Sequence, residues 1–254
     1  MIATMQPIGL EELTERADLL TRIDRKYLVR TDDLDHVLDT LPGTARVLQI
    51  DDRRQFSYRS VYFDTADLLA YRLAALRRRR RFKLRTRSYL DSGLHLLEVK
   101  TRGPRGTTVK QRVPYSGDGE RLVRQDRAVA YAALVQTGAS APASADALQP
   151  TLITNYHRVT LFLPRSRSRV TIDTELTWTL PDGSGERQLA GCAVVETKCP
   201  GPAAEMDRAL WAHQHRPCSI SKFGTGLAAL RPDLPAHRWH PVLNRHLKDK
   251  EPIS

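Results

Sequence analysis

The segment "RRRRRFKLRTRSY", residues 77–89, contains seven arginines and one lysine. Its second half alternates, with Phe82 and Leu84 standing between basic residues. Successive residues of a β-strand point to opposite faces of the sheet. The pattern therefore predicts a strand with one apolar face and one cationic face, the latter formed by Arg81, Lys83, Arg85 and Arg87.

Other predicted strands repeat this alternation of charged and apolar residues. The charged sides carry Asp24 and Lys26; Glu98, Lys100 and Arg102; Lys110 and Arg112; Tyr156 and Arg158; Arg169, Thr171, Asp173 and Glu175; and Glu196 and Lys198. A single charged face most simply meets solvent. Repetition over many strands instead indicates a barrel with a polar interior. Since buried charges need partners, we expect a polyanion inside it.

The order of the predicted elements favours an α+β fold. Helices are predicted at 9–22, 31–41, 66–76, 119–138 and 202–215, and strands at 24–30, 46–50, 58–65, 81–89, 94–102, 107–115, 152–163, 169–178 and 192–199. Without βαβ alternation, these elements predict a closed antiparallel β-barrel of about eight strands with flanking helices. The turn "GPRG" at 103–106 predicts a hairpin. We expect one domain over residues 1–230, followed by a Pro- and His-rich C-terminal tail at 231–254.

The composition narrows the class of partner and the compartment. A net charge of +11 in 254 residues predicts attraction to polyanions such as nucleic acid, anionic lipid or polyphosphate. The three cysteines, Cys192, Cys199 and Cys218, form no close pair, which disfavours a disulfide framework or a zinc site. The N-terminus resembles no signal peptide, and no apolar run is long enough to span a membrane. The expectation is a soluble, cytoplasmic protein.

Two carboxylates on the charged faces, Glu98 and Glu196, have two interpretations. Each could form a salt bridge to a neighbouring lysine. Alternatively, each could hold a divalent metal ion, because such ions prefer hard oxygen ligands and share them with substrate phosphates. The residues favour metal binding for Glu196, at the centre of "VVETK", and leave the choice open for Glu98.

Several short segments together resemble a known family. In order they are "DRKY", "YFDT", "RFKLRTRSY", "LEVKTR" followed by "VKQR", "NYHRV", "RVTID", "VVETK" and "SKFGTG". They are similar to the polyphosphate-polymerase domain of the vacuolar transporter chaperone (VTC) family, one of the triphosphate tunnel metalloenzymes, over residues from about 7 to about 230. The resemblance implies a closed antiparallel tunnel that binds ATP with Mn²⁺ or Mg²⁺ and passes its terminal phosphoryl group to polyphosphate.

The resemblance also implies roles for residues of this chain. Catalytic roles fall to Lys26, Arg85, Arg87, Lys100, Arg158 and Glu196, with Glu196 as metal ligand. Substrate-binding roles fall to Lys110 and Tyr156, which would contact phosphate, and to Ser221 and Lys222, which would guard one tunnel mouth. Lys83, Arg112 and Lys198 join the substrate-binding set, and Glu98 the metal set, through their positions on the charged strand faces. Asp24 stands where the family usually carries glutamate.

The expected function is that of a metal-dependent polyphosphate polymerase, with ATP and polyphosphate as partners. Two alternatives stay open: a tunnel triphosphatase that hydrolyses inorganic triphosphate or nucleotide, and a non-catalytic binder of polyphosphate or another polyanion. Nucleic acid is disfavoured, because only Phe82 and Tyr89 flank the basic run and nucleic-acid sites usually interleave aromatics. Residues 77–80 are expected to steer the polyanion toward the tunnel. Coupling to a membrane would require a separate membrane-protein partner.

Overall fold

The computed structural model describes residues 2–17, 22–103, 108–113, 115 and 117–247. The described residues form the helices α1 (Leu10–Arg16), α2 (Thr31–Asp39), α3 (Leu69–Ala75), α4 (Arg124–Gln136), α5 (Glu205–Ala212), α6 (Lys222–Leu230) and α7 (His240–His246). The strands are β1 (Gln6–Ile8), β2 (Ile23–Arg30), β3 (Arg46–Leu48), β4 (Gln55–Asp64), β5 (Phe82–Tyr89), β6 (Leu94–Arg102), β7 (Thr108–Val113), β8 (Gln149–Leu163), β9 (Ser168–Thr179), β10 (Glu186–Gln188) and β11 (Cys192–Cys199).

The strands belong to one sheet of eleven, and the hydrogen-bonded order of its main path is β2-β11-β9-β8-β4-β5-β6-β7. Away from this path, β10 pairs with β9, and β3 pairs with both β8 and β1. The pairing of β1 with β3 is parallel. The α+β class, with a large antiparallel sheet and flanking helices, is therefore confirmed.

The prediction of a closed barrel of about eight strands is wrong. Across the described ranges, the path ends at β2 and β7, and no pairing joins these two strands. Both carry charged residues, Asp24 and Lys26 on β2 and Lys110 and Arg112 on β7, and charged edge strands resist pairing. The strand count was too low because β1 and β10 have three residues each, too few to show an alternating pattern.

The two strands of the predicted hairpin are present in the structure. β6 and β7 pair antiparallel from Leu97 opposite Val113 to Arg102 opposite Thr108. The turn that was predicted at "GPRG" falls mostly on residues 104–107, which lie outside the described residues.

The chain divides into two compact units. Unit 1 comprises Met1–Ser57, Tyr156–Leu176 and Leu189–Ile220, and unit 2 comprises Tyr58–Asn155, Thr177–Gln188 and Ser221–Ser254. In unit 1, the apolar residues of β2, β9 and β11 pack with α2 and α5 in one core. Tyr27, Ile172 and Val195 of these strands are at most 1% exposed. Helices thus cover the apolar face of the unit 1 strands, as the alternation predicts.

Unit 2 has its own core, in which α6 lies against aromatic rings. Phe223 of α6 stacks on Tyr62 with ring centroids 5.1 Å apart. The glycines of "FGTG" have no room for a side chain. A Cβ at Gly224 would lie 2.1 Å from the ring of Trp239, and one at Gly226 would lie 2.1 Å from the ring of Trp178. The motif therefore has glycine where α6 touches two indoles.

Residues after 231 contribute to this second core. Trp239 is 1% exposed and lies 5.5 Å from Tyr71 between ring centroids. Helix α7 follows directly, with proline near its start, where the missing N–H costs nothing. Among the described helices, none is long and apolar enough to cross a membrane.

The contact at Gly226 gives a stability test. Gly226→Ala should lower the free energy of unfolding by about 2 kcal/mol, because overpacking forces Trp178 or the helix to shift. Thermal denaturation should show the midpoint falling by several degrees. Gly43→Ala is the control, since a Cβ there meets nothing within 4 Å. Equal midpoints for the two variants would contradict the close approach of α6.

Candidate functional site

A buried carboxylate organises the charged face of unit 2. We call Glu98, Arg85, Arg87 and Lys110 the Glu98 cluster. Strand register places Arg85 of β5 directly opposite Glu98 of β6. The Arg85 guanidinium donates from Nε and Nη2 to Glu98 Oε2, at 2.9 and 2.7 Å, and from Nη1 to the Tyr62 hydroxyl at 3.0 Å. These three hydrogen bonds hold the Arg85 guanidinium in one orientation.

Two further cations approach the same carboxylate. Lys110 bonds to Glu98 Oε1, and Arg87 Nε lies 3.9 Å from Glu98 Oε2. Burial of the fully inaccessible Glu98 side chain would raise its pKa, but the charges of Arg85 and Lys110 outweigh it and lower the pKa to about 2. Burial also lowers the pKa of Lys110. The Glu98 cluster thus contains one negative and three positive side chains.

Lys110 of this cluster also belongs to a row of three lysines across the sheet. Lys83 of β5 is opposite Lys100 of β6, and Lys100 is opposite Lys110 of β7. Like charges directly opposite one another destabilise a sheet. We call these residues the lysine row. Arg112, which is exposed, lies opposite Glu98 on β7. The register therefore concentrates positive charge on this side of β5, β6 and β7.

The start of α6 extends this cationic surface. Lys83 Nζ donates to Ser221 Oγ at 2.7 Å, and Ser221 Oγ accepts from Gly224 N as the N-cap of the helix. Lys222 is the first helical residue, and its carbonyl accepts from Trp178 Nε1 at 2.7 Å. The N-terminus of a helix favours anions, so the helix dipole adds to the charge of the lysine row.

Unit 1 contains a second cluster, on the charged face of its strands. We call Lys26, Glu196 and Lys198 the Glu196 cluster. Glu196 of β11 lies opposite both Lys26 of β2 and Thr171 of β9. Lys26 Nζ donates to Glu196 Oε1 at 2.8 Å, and Lys198 Nζ lies 3.2 Å from Oε2. The Glu196 side chain keeps 17% exposure.

The neighbouring strand β8 adds an arginine to this face. Arg158 donates from Nε and Nη2 to the two carboxylate oxygens of Asp173, at 2.6 and 2.8 Å. Its guanidinium carbon also lies 5.3 Å from the centre of the Tyr156 ring. The ion pair and the ring fix Arg158 in one orientation. The predicted phosphate ligands Tyr156 and Arg158 are therefore adjacent and ordered.

The two lysines of the Glu196 cluster differ in their electrostatics. Burial would lower the pKa of Lys26, but the charge of Glu196 and the hydrogen bond to it raise the pKa. Burial lowers the pKa of Lys198, and nearby Arg158 and Arg169 lower it further against the pull of Glu196. Glu196 therefore raises the pKa of Lys26 above its usual value, but at Lys198 its effect is outweighed by burial and the neighbouring arginines.

Behind this cluster lies a buried network that the sequence did not reveal. Asp207 of α5 accepts 2.7 Å hydrogen bonds from the hydroxyls of Tyr27 and Thr197. These residues adjoin Lys26 and Glu196 in sequence. Asp207 also accepts from Ala204 N at 2.8 Å, so the carboxylate that starts α5 also fixes β2 and β11. The only sequence signal was a tyrosine after Lys26 on the apolar side of the strand.

The predicted site residues thus divide into two groups, one in each unit. Unit 1 holds Lys26, Tyr156, Arg158, Glu196 and Lys198; unit 2 holds Lys83, Arg85, Glu98, Arg87, Lys100, Lys110, Arg112, Ser221 and Lys222. Asp173 and Tyr62, which orient Arg158 and Arg85, were not assigned roles from the sequence. Asp24 lies opposite Lys198 and pairs with Arg22 at 2.9 Å.

The two predicted metal ligands differ in their surroundings. Glu98 is inaccessible and bonded to Arg85 and Lys110, so its oxygens face cations. Glu196 is partly exposed, and its lysine partners could turn to a phosphate. Among the residues that the structure describes, no group of three or more His, Cys, Asp or Glu side chains is placed to hold a metal ion. An ion at Glu196 would therefore take most of its ligands from phosphate and water.

Comparison with known proteins identifies the family. The model of the VTC domain matches residues 21–231, and the chain belongs to this family, as its sequence motifs predicted. No curated protein sequence matches the chain. A proposed adenylate cyclase from Bacillus halodurans has a similar structure, with 16% identity, a TM-score of 0.41 and coverage of 76% of this chain and 87% of that one. A proposed adenylyl cyclase from Hippeastrum, with a dominant triphosphatase activity, has 14% identity, a TM-score of 0.45 and coverage of 86% and 100%.

The depressed pKa of Glu98 predicts a pH dependence of stability. Its carboxylate stabilises the fold at pH values above the unfolded value near 4.5, and this contribution is lost as the pH falls toward 2. Glu98→Gln should destabilise the protein at pH 7 by roughly 3–5 kcal/mol, because it leaves buried cations uncompensated. The variant's stability should also fall less steeply between pH 5 and 2. Urea unfolding across this range measures both effects.

The matched control for this test is Glu120→Gln, which removes a partly exposed pair with Arg59. It should cost about 1 kcal/mol or less. An equal loss for the two variants would mean that Glu98 is no more important than a surface acid.

Proposed function

We propose that this protein is a polyphosphate polymerase that transfers the terminal phosphoryl group of ATP to the end of a polyphosphate chain. The observation that carries the proposal is the lysine row beside the Glu98 cluster, in a chain that belongs to the VTC domain family. The row adds Lys83 and Lys100 to the cations around Glu98, so that positive charges outnumber the one carboxylate among these residues. A chain of phosphates supplies negative charge at a matching density.

The residues of the clusters suit phosphoryl transfer between phosphates. In this reaction an oxygen of the polyphosphate end attacks the γ-phosphorus, the bond to the β-phosphate oxygen breaks, and ADP leaves with that electron pair. The attacking group is already anionic, so no side-chain nucleophile is needed. Arg85 and Arg158, each locked by a carboxylate, can hold phosphate oxygens without reorganising. Such preorganised charge is the main catalytic contribution in phosphoryl transfer.

A divalent ion, Mn²⁺ or Mg²⁺, completes the proposal. Glu196 would hold it, since its carboxylate is partly exposed. Lys26 and Lys198, which contact this carboxylate, would pair with the phosphates when substrate is bound. When bound, the ion neutralises phosphate oxygens and orients them. Lys26 and Lys198 would then contact the substrate in place of the carboxylate.

The first test incubates purified protein with ATP, Mn²⁺ and a short polyphosphate primer, and reads ADP, free phosphate and chain length together. Wild-type protein should release ADP as the chain grows. Glu196→Gln should abolish most chain growth, yet bind tripolyphosphate more tightly in the absence of metal because Lys26 and Lys198 lose their carboxylate. Glu15→Gln, an exposed acid on α1, should behave as wild type.

Other outcomes of this assay exclude the proposal. Free phosphate without chain growth would identify a triphosphatase. Tight binding of polyphosphate without any turnover would identify a binding protein. Chain growth that survives in Glu196→Gln would remove Glu196 from the reaction.

The lysine row gives a second test. Lys100→Gln should weaken tripolyphosphate binding about tenfold, since a charge-assisted contact is lost. The thermal midpoint should change little, because Lys100 loses both the repulsion of Lys83 and Lys110 and the attraction of Glu98. Calorimetric titration and thermal denaturation measure the two effects. A fall in the midpoint with unchanged binding would show that Lys100 is structural.

A further inference from the structure

Four arginines of unit 2 form a cluster that the catalytic proposal does not use. They are Arg77, Arg81, Arg102 and Arg238, and we call them the arginine cluster. Phe82 pairs with Thr101 at the end of the β5–β6 ladder, so Arg81 and Arg102 occupy the next facing positions. On their strands they share the parity of Lys83 and Lys100, two residues further along. The cluster therefore continues the cationic side of β5 and β6 past the lysine row.

The loop that carries the arginine run is ordered by its own backbone. Arg77 N and Arg78 N donate to Ala74 and Leu73 carbonyls at 3.2 and 2.8 Å, which closes α3. Arg81 Nη1 donates to Arg78 O at 2.9 Å. These bonds fix the path of the loop, so its guanidinium groups are displayed from a defined surface.

Arg238 reaches the cluster from a distant part of the chain. It lies beyond residue 231, where the match to the VTC domain ends. The buried Trp239, packed on Tyr71, holds it in place, and Arg238 Nη1 lies 3.5 Å from Ala74 O. Its Nε is buried without a hydrogen-bond partner. A feature of this chain outside the family domain thus completes the cluster.

The four guanidiniums repel one another without local compensation. Burial lowers the pKa of Arg238, and Arg77 and Arg102 lower it further. Burial likewise lowers the pKa of Arg81, as do Arg102 and Arg238. In the portion of the chain that the structure describes, no carboxylate forms an ion pair with any of these four residues. A bound anion would offset the repulsion that acts on Arg81 and Arg238.

We propose that the arginine cluster is a second polyphosphate site, which holds phosphates of a long chain beyond those bound at the lysine row. The inference rests on the proposed function. Because Arg81 and Arg102 continue the two lysine-bearing strands, the number of these cations that a bound chain contacts grows with its length. The cluster makes affinity depend on chain length and retains the growing product. Guanidiniums suit this role, since they bind phosphate oxygens in pairs.

The test compares wild type with Arg238→Gln for binding of tripolyphosphate and of long-chain polyphosphate, without metal or ATP. We expect the variant to lose about fivefold to tenfold in affinity for the long chain and to keep its affinity for tripolyphosphate. The salt dependence of long-chain binding should weaken by roughly one released ion. Arg102→Gln should reproduce the effect. Neither variant should lower the thermal midpoint, because each relieves repulsion.

The control is Arg124→Gln, which removes the same charge from the exposed start of α4. If Arg124→Gln lowered the long-chain affinity equally, the effect would come from the net charge of the protein alone. This result would overturn the proposal. Unchanged long-chain affinity in both cluster variants would also overturn it. If the cluster variants lost equal affinity for single-stranded RNA and for polyphosphate, the cluster would be a general polyanion surface. This result would contradict a site for polyphosphate. If wild type binds neither phosphate, the proposed function itself fails, whereas failure of the cluster alone leaves tripolyphosphate binding intact.

Discussion

The buried Glu98 carboxylate is the interaction on which the charged face of unit 2 depends. Without it, the largely buried Arg85 and Arg87 and the more exposed Lys110 would be three cations with no carboxylate between them. With it, Arg85 is locked between Glu98 and the Tyr62 hydroxyl. A low dielectric increases both repulsion between like charges and attraction between opposite charges. Burial therefore makes it costly to gather these cations and also strengthens their pairing with Glu98.

The helices do more than cover the apolar side of the strands. Asp207 at the start of α5 bonds to Tyr27 and Thr197, whose neighbours in sequence, Lys26 and Glu196, point to the opposite face. The N-cap of α6 accepts a hydrogen bond from Lys83. In each unit, the polar group that begins a helix also fixes a strand that carries site residues. The geometry of both clusters thus follows from ordinary helix capping.

Sequence alternation was sufficient to predict which strand residues share a face, because the period of two is a local property of the backbone. It placed Lys83, Lys100 and Lys110 on charged sides, but their direct alignment across three strands required the register. Closure of the sheet was predicted wrongly, since it depends on whether two distant edges pair. Asp207 was missed because no sequence pattern joins it to its partners. Tyr27 lies 180 residues before Asp207, and Thr197 lies 10 residues before it.

The two lysines that contact Glu196 differ in how strongly the carboxylate affects them. Lys26 gains enough from the carboxylate to keep a raised pKa, whereas Lys198, beside Arg158 and Arg169, does not. A phosphate near Lys198 would supply the missing negative charge and raise its pKa by the same coupling that strengthens binding. Anion binding and protonation of Lys198 are therefore linked. A metal ion at Glu196 would compete with both lysines for the carboxylate. Substrate phosphates would then be the principal counter-ions of Lys26 and Lys198.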